Sequence, residues 1–181
     1  QRVADDERTR LGARVGGALE GGEIVAWGQP IVDLRTGAME GVELLARWPQ
    51  PDGSIVMPGH FVPIIEEQGR GPQLGMQMVA AGIDLLGRFR DQGRSAYVSV
   101  NLSARHLFHQ GLPREIGAML RETGVAPGCL VLEITESQHL PSSPVWKNTA
   151  EQLRALGVGL AIDDFGTGYS SLSYLREYPF D

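Results

Sequence analysis

From residue 96 onward, apolar runs alternate with helical stretches three times over, and this constrains the fold more than any other feature. Strands are expected at 96–102, 129–135 and 158–164, and helices at 113–123, 145–156 and 170–178. Strands separated by helices of about ten residues form βα units and a parallel sheet. Residues 4–20 carry Leu11, Val15, Ala18 and Leu19 at helical spacing before Gly21 and Gly22, which predicts a lead-in helix ended by glycines. Two strands follow, at 23–34 and 39–48, with Arg35-Thr36-Gly37 as a hairpin turn. A Pro-bounded loop leads to a short helix at 59–68. Leu74, Met78, Ala81, Leu85 and Phe89 then mark an amphipathic helix at 73–89, in which Met76 and Met78 read as core filler.

The fold class expected is α/β, a TIM-like (β/α) barrel with an early antiparallel strand. Such barrels typically need about 250 residues, so a chain of 181 is expected to lack the C-terminal part. The chain begins at Gln1 rather than Met and reads as a piece of a longer protein. Residues 1–22 are expected to be a linker helix from an upstream domain, and 23–181 the domain itself.

A net charge of −6 argues against a nucleic-acid polymer or an anionic membrane as partner. An acidic protein that handles a phosphate substrate needs cations to bridge the two. Cys129 is the one cysteine, in the apolar run Cys129-Leu130-Val131-Leu132. It reads as a buried structural thiol in a reducing, cytoplasmic setting. No run of about 18 apolar residues and no signal-peptide pattern occurs, although a parent protein anchored in a membrane remains compatible with the domain.

The chemistry collects at strand ends. Tyr97-Val98-Ser99-Val100 runs into Asn101, Leu130-Val131-Leu132 into Glu133, and Gly159-Leu160-Ala161-Ile162 into Asp163-Asp164. An earlier strand carries Glu43, and strand alternation puts Glu43, Leu45 and Arg47 on one face. In β/α sheets the carboxyl ends of the strands converge on the ligand site. Four carboxylates and an amide gathered there repel one another and lose hydration unless a cation neutralises them. All are hard oxygen donors, which favours Mg²⁺, Mn²⁺ or Ca²⁺ over zinc or copper. Adjacent Asp163 and Asp164 suit two ions about 3.5–4 Å apart, an arrangement used for in-line attack on phosphodiesters. Taken singly, each acid has a plainer reading: Glu43 paired with Arg47, Asp164 capping the next helix. Recurrence in successive βα units makes that coincidence improbable.

Other motifs fail on context. Asp164-Phe165-Gly166 lacks the companion kinase motifs, and Gly166-Thr167-Gly168 lacks the third glycine and later acid of a dinucleotide fingerprint. His60, His106, His109 and His139 have no metal-ligand spacing and read as surface or loop residues. No GxSxG nucleophile elbow is present.

The same residues resemble the EAL family of cyclic di-GMP phosphodiesterases. Gln29-Pro30-Ile31 resembles its QPI segment, and Glu43-Leu44-Leu45-Ala46-Arg47-Trp48 its namesake EALLRW. Phe61-Val62-Pro63 with Glu66-Glu67-Gln68-Gly69 is similar to FIPLAEETG. Asn101-Leu102-Ser103, Glu133-Ile134-Thr135-Glu136 and the run from Asp163 to Leu172 resemble NLS, E-x-T-E and DDFGTGYSSL. The resemblance implies one divalent ion held by Glu43, Asn101, Glu133 and Asp163, and a second shared through Asp164. It implies substrate contacts from Gln29 and Arg47, and a loop steadied by Glu136. It further implies Mg²⁺ or Mn²⁺ as cofactor with Ca²⁺ inhibitory, a homodimer, and an upstream GGDEF or sensor domain. The implied reaction is metal-assisted attack of water on one phosphodiester of cyclic di-GMP, giving linear pGpG. The alternative is a degenerate module that binds cyclic di-GMP or a protein partner without turnover.

Two positions depart from the pattern: Leu44 replaces the namesake Ala, and Gly28 stands where Tyr is common. The family's lysine–acid strand, its general-base glutamate and a later glutamine fall beyond Asp181. Residues 1–181 alone are therefore expected to be nearly inactive and poorly stable, with an open sheet edge.

Overall fold

The computed structural model describes residues 2–135, 143–163 and 180. The expected helix 170–178, together with Glu136, His139 and Asp164, lies outside the described residues. Element order is α1 (Arg2–Glu20), β1 (Val25–Val32), β2 (Met39–Pro49), β3 (Ile55–Val56), α2 (Pro58–Glu67), α3 (Gly71–Asp91), β4 (Tyr97–Leu102), α4 (Leu112–Thr123), β5 (Leu130–Thr135), α5 (Pro144–Leu156) and β6 (Gly159–Asp163). Two short 3₁₀ turns, Ala104–Phe108 and Pro127–Cys129, precede α4 and β5.

The sheet runs β1-β2-β4-β5-β6, with β3 beside β2. β1 and β2 are antiparallel, and β2, β4, β5 and β6 are parallel, so the early antiparallel strand and the βα units stand as the patterning predicts. Asp33 shapes the hairpin. Its carboxylate accepts the N–H groups of Arg35 at 2.9 Å and Thr36 at 2.7 Å, and Gly37 takes a φ of 71°, a conformation glycine adopts without strain. The Pro-bounded loop contains β3, a strand too short to show a period.

Helices cover one face of the parallel strands. Leu44, Val98, Val100, Leu102, Leu130, Leu132, Ile134 and Leu160 are buried against them. Leu44 faces away from Glu43, so the change from the namesake Ala repacks the helix side of β2. The core face of α3 is Leu74, Met78, Val79, Ile83, Leu86 and Phe89. Ala81 and Leu85, expected on that stripe, sit half-buried at its edge. α1 lies against α2: Gln68 donates to the Gly12 carbonyl at 2.8 Å, Arg8 pairs with Glu67, and Arg70 pairs with Glu20 at 2.6 Å. Arg14 stacks 5.3 Å over the Trp48 ring, whose indole N–H donates to Glu23.

Two expectations are corrected. Cys129 is half-buried, because it ends a 3₁₀ turn rather than beginning the strand. His106, expected at the surface, is fully buried, and its Nε2 lies 2.8 Å from the Pro72 carbonyl at the start of α3. Burial holds its pKa below the ordinary value, against the hydrogen bond to Pro72. His60 and His109 are exposed, as expected, and His109 faces Glu115 at 2.9 Å.

The imidazole of His106 fits because α3 has no side chain where it docks. A Cβ on Gly75 would stand 2.3 Å from His106 Cε1 and 2.7 Å from Leu102 Cδ2, whereas one on Gly87 would meet nothing within 4 Å. Gly75→Ala is expected to destabilise the protein by about 1–3 kcal/mol, overpacking outweighing helix propensity. Gly87→Ala is expected to stabilise it by up to about 1 kcal/mol, since propensity acts there alone. Equilibrium denaturation of the two variants checks the contrast.

Candidate metal and substrate site

Alternation along β4 decides which side chains meet. Val98 and Val100 face α3, each 3.2 Å from the Cβ position of Gly82, so Ser99 and Asn101 face the opposite side. Glu43, Leu45 and Arg47 take that same side of β2, because Val42, Leu44 and Trp48 are buried on the other. On β5 the buried Leu132 and Ile134 leave Glu133 on this side, and on β6 Leu160 leaves Asp163 there.

Registers place the candidates on four neighbouring strands. Glu43 pairs with Ser99, Asn101 with Glu133, and Asp163 with Thr135. The set therefore advances two residues between β2 and β4, none between β4 and β5, and two between β5 and β6. That stagger is the size a tilted barrel with a shear of about one residue per strand requires. The Asn101 amide donates from Nδ2 to Glu43 Oε1 at 3.0 Å, and its Oδ1 is buried without a hydrogen-bond partner.

Glu133 is held above its ordinary value of 4.5, first by burial. The Ser99 hydroxyl opposes that rise, and the negative charges of Glu43 and Asp163 add to it. Among the described residues, no three His, Cys, Asp or Glu side chains form a closed cage for a metal. The structure instead brings Glu43 and Asn101 into contact, sets Glu133 beside Asn101, and keeps Glu43 and Asp163 each near enough to Glu133 to repel its charge.

The other candidates are more dispersed. Gln29 pairs in register with Glu43 on exposed β1. Arg47 is half-buried, and its Nη1 donates to the carbonyl of Ala46 at 2.9 Å, so it makes no ion pair with Glu43. A cavity of about 430 Å³ lies over the ends of β2 and β4 and under α2 and α3, bordered by Leu45, Val62, Glu66, Asn101 and Ser103. Glu66 was not anticipated at the cavity, because its position depends on how α2 crosses the strand ends, whereas Ser103 was legible two residues after Asn101. Ser99 was legible in principle, two residues before Asn101 and hence on its face.

The raised pKa of Glu133 has a consequence for stability. The folded state holds that proton more tightly than the unfolded chain, so the contribution is complete below the ordinary value and is lost as pH rises through the raised one. Metal-free protein is expected to lose stability over that window. Glu133→Gln is expected to flatten the loss and to raise the denaturation midpoint at neutral pH. Denaturant titrations of the two proteins from pH 4.5 to 7.5 measure both effects.

Comparison with known proteins bears on the fold and the family. The EAL domain family model matches residues 13–181. The bifunctional diguanylate cyclase/cyclic di-GMP phosphodiesterase MucR of Pseudomonas aeruginosa is 39% identical over 163 residues, 90% of this chain and 24% of MucR. The cyclic di-GMP phosphodiesterase RocR of the same organism is 34% identical over 162 residues, 90% of this chain and 41% of RocR. The chain thus spans less than half the length of either relative. Among solved structures, the MucR phosphodiesterase in complex with c-di-GMP superposes with a TM-score of 0.85 at 37% identity, covering 95% of this chain and 70% of that one. The EAL enzyme Bd1971 in its cAMP-bound form gives 0.87 at 28% identity, covering 99% and 51%. The fold is accordingly α/β and TIM-like, with the described sheet part of an incomplete barrel. The chain belongs to the EAL domain family.

Proposed function

We propose that this chain forms the metal-binding part of a phosphodiesterase barrel that hydrolyses cyclic di-GMP to linear pGpG with Mg²⁺ or Mn²⁺. One observation carries the reading: the Asn101 Oδ1, a buried acceptor without a partner, stands among carboxylates of one sign. A hard cation satisfies that oxygen and neutralises those charges together, and an all-oxygen donor set suits Mg²⁺ or Mn²⁺. The names of MucR and RocR support cyclic di-GMP as substrate.

In this reading Glu43, Asn101, Glu133 and Asp163 hold the first ion, and Asp164 contributes to a second. The ions would supply neutralisation of the phosphodiester charge and a water of lowered pKa. Asn101, by donating to Glu43, fixes the direction in which that carboxylate presents its free oxygen. Arg47 gives up its hydrogen bond to Ala46 and offers its planar fork to a phosphate of the substrate. Gln29, level with Glu43, contacts the nucleotide from β1, and Glu136 steadies the loop that follows β6.

Release of pGpG by the full-length protein is expected with Mg²⁺ or Mn²⁺ and not with excess chelator. Ca²⁺, with longer and more variable bonds, is expected to inhibit. Glu43→Ala should lower turnover by more than the roughly 10–100-fold lost with an outer-shell partner. Arg47→Ala should act mainly on KM. Sustained turnover in chelator contradicts the metal assignment, an unchanged KM contradicts the role of Arg47, and tight binding without turnover favours the receptor alternative.

A further inference from the structure

Ser99 is the one polar residue in the apolar run at the start of β4, and it is buried to 0% exposure. Register sets it level with Glu43 on β2 and with Val131 on β5. It therefore stands one layer below Asn101 on the interior face, between the strand of Glu43 and the strand of Glu133. Its Oγ makes no hydrogen bond of ordinary geometry, yet it lies within reach of the Glu133 carboxylate. A buried hydroxyl without a partner is destabilising, and alanine would fill the same position without that penalty. Of the carboxylates on this face, Glu43 already accepts from Asn101, and Glu133, two residues along β5 from the register partner of Ser99, is the acceptor that faces the hydroxyl.

We propose that Ser99 is a positioning residue, whose hydroxyl donates to the Glu133 carboxylate and turns it toward a divalent ion shared with Asn101 and Glu43. The inference rests on the metal-dependent reading of the site. Outer-shell hydrogen bonds of this kind fix the direction of a ligating carboxylate and raise metal affinity. In this role Ser99 acts only through Glu133.

Calorimetric titration of Mn²⁺ into the full-length protein tests this, with circular dichroism verifying that each variant is folded. Ser99→Ala is expected to weaken Mn²⁺ binding by about tenfold, within the usual range for an outer-shell partner. Ser99→Thr, which keeps the hydroxyl, is expected to bind as wild type does. Activity of Ser99→Ala is expected to recover at saturating Mn²⁺, because the reacting groups are untouched. If Ser99→Thr does not fold, Ser99→Cys decides: it keeps the shape and loses the strong donor, so weakened binding supports the role and wild-type binding overturns it. Unchanged affinity in Ser99→Ala, or equal weakening in folded Ser99→Ala and Ser99→Thr, overturns the inference alone. A wild-type protein that binds no Mn²⁺ overturns the metal reading on which it rests.

Discussion

The hydrogen bond from Asn101 to Glu43 joins β2 to β4 where the interior face of the sheet turns from apolar to acidic. Much of the site depends on it. The amide spends its donor on one carboxylate and leaves its oxygen buried and unpaired beside a second, Glu133. Without a cation that arrangement is costly, since a half-satisfied polar cluster in a poorly solvated place is worse than an apolar one. Its persistence in an otherwise well-packed sheet is the physical reason to read it as a place prepared for charge. The rise in the Glu133 pKa expresses the same tension, with burial as its largest cause.

The rest of the molecule holds that face in register. Valines and leucines on the far side of β2, β4, β5 and β6 pack under the helices, so each strand is clamped through the residues that alternate with the acids. Gly75 lets the turn after β4 seat His106 against the first turn of α3, which fixes the strand end carrying Asn101 and Ser103. On the other flank, α1 grips α2 through charged and backbone contacts and stacks Arg14 on Trp48, the residue after Arg47. The strand that presents Glu43 and Arg47 is thereby supported from outside the sheet.

Much of this was legible from period and position. The spacing of Glu43, Leu45 and Arg47 was enough to place them on one face, and strand-end polarity was enough to place Asn101, Glu133 and Asp163 on the same side of neighbouring strands. What escaped depends on contacts distant in sequence. Nothing near His106 signals burial, because the space that receives it is made by a glycine thirty-one residues earlier. Ile55–Val56 is too short to carry a period. Cys129 differs by a local 3₁₀ turn that apolar patterning cannot distinguish from a strand start. The cavity beside Asn101 arises from the crossing of α2 and α3 over strand ends, a relation between elements rather than a property of either.

The central claim is that Asn101 Oδ1 and three carboxylates on successive strands form one cation site. Anomalous scattering from Mn²⁺ in crystals of the full-length protein tests it most directly. The account predicts a peak bonded to Glu43, Asn101 Oδ1, Glu133 and Asp163 together. A peak elsewhere, or none at saturating Mn²⁺ with Asn101 Oδ1 hydrogen-bonded to water, would contradict it.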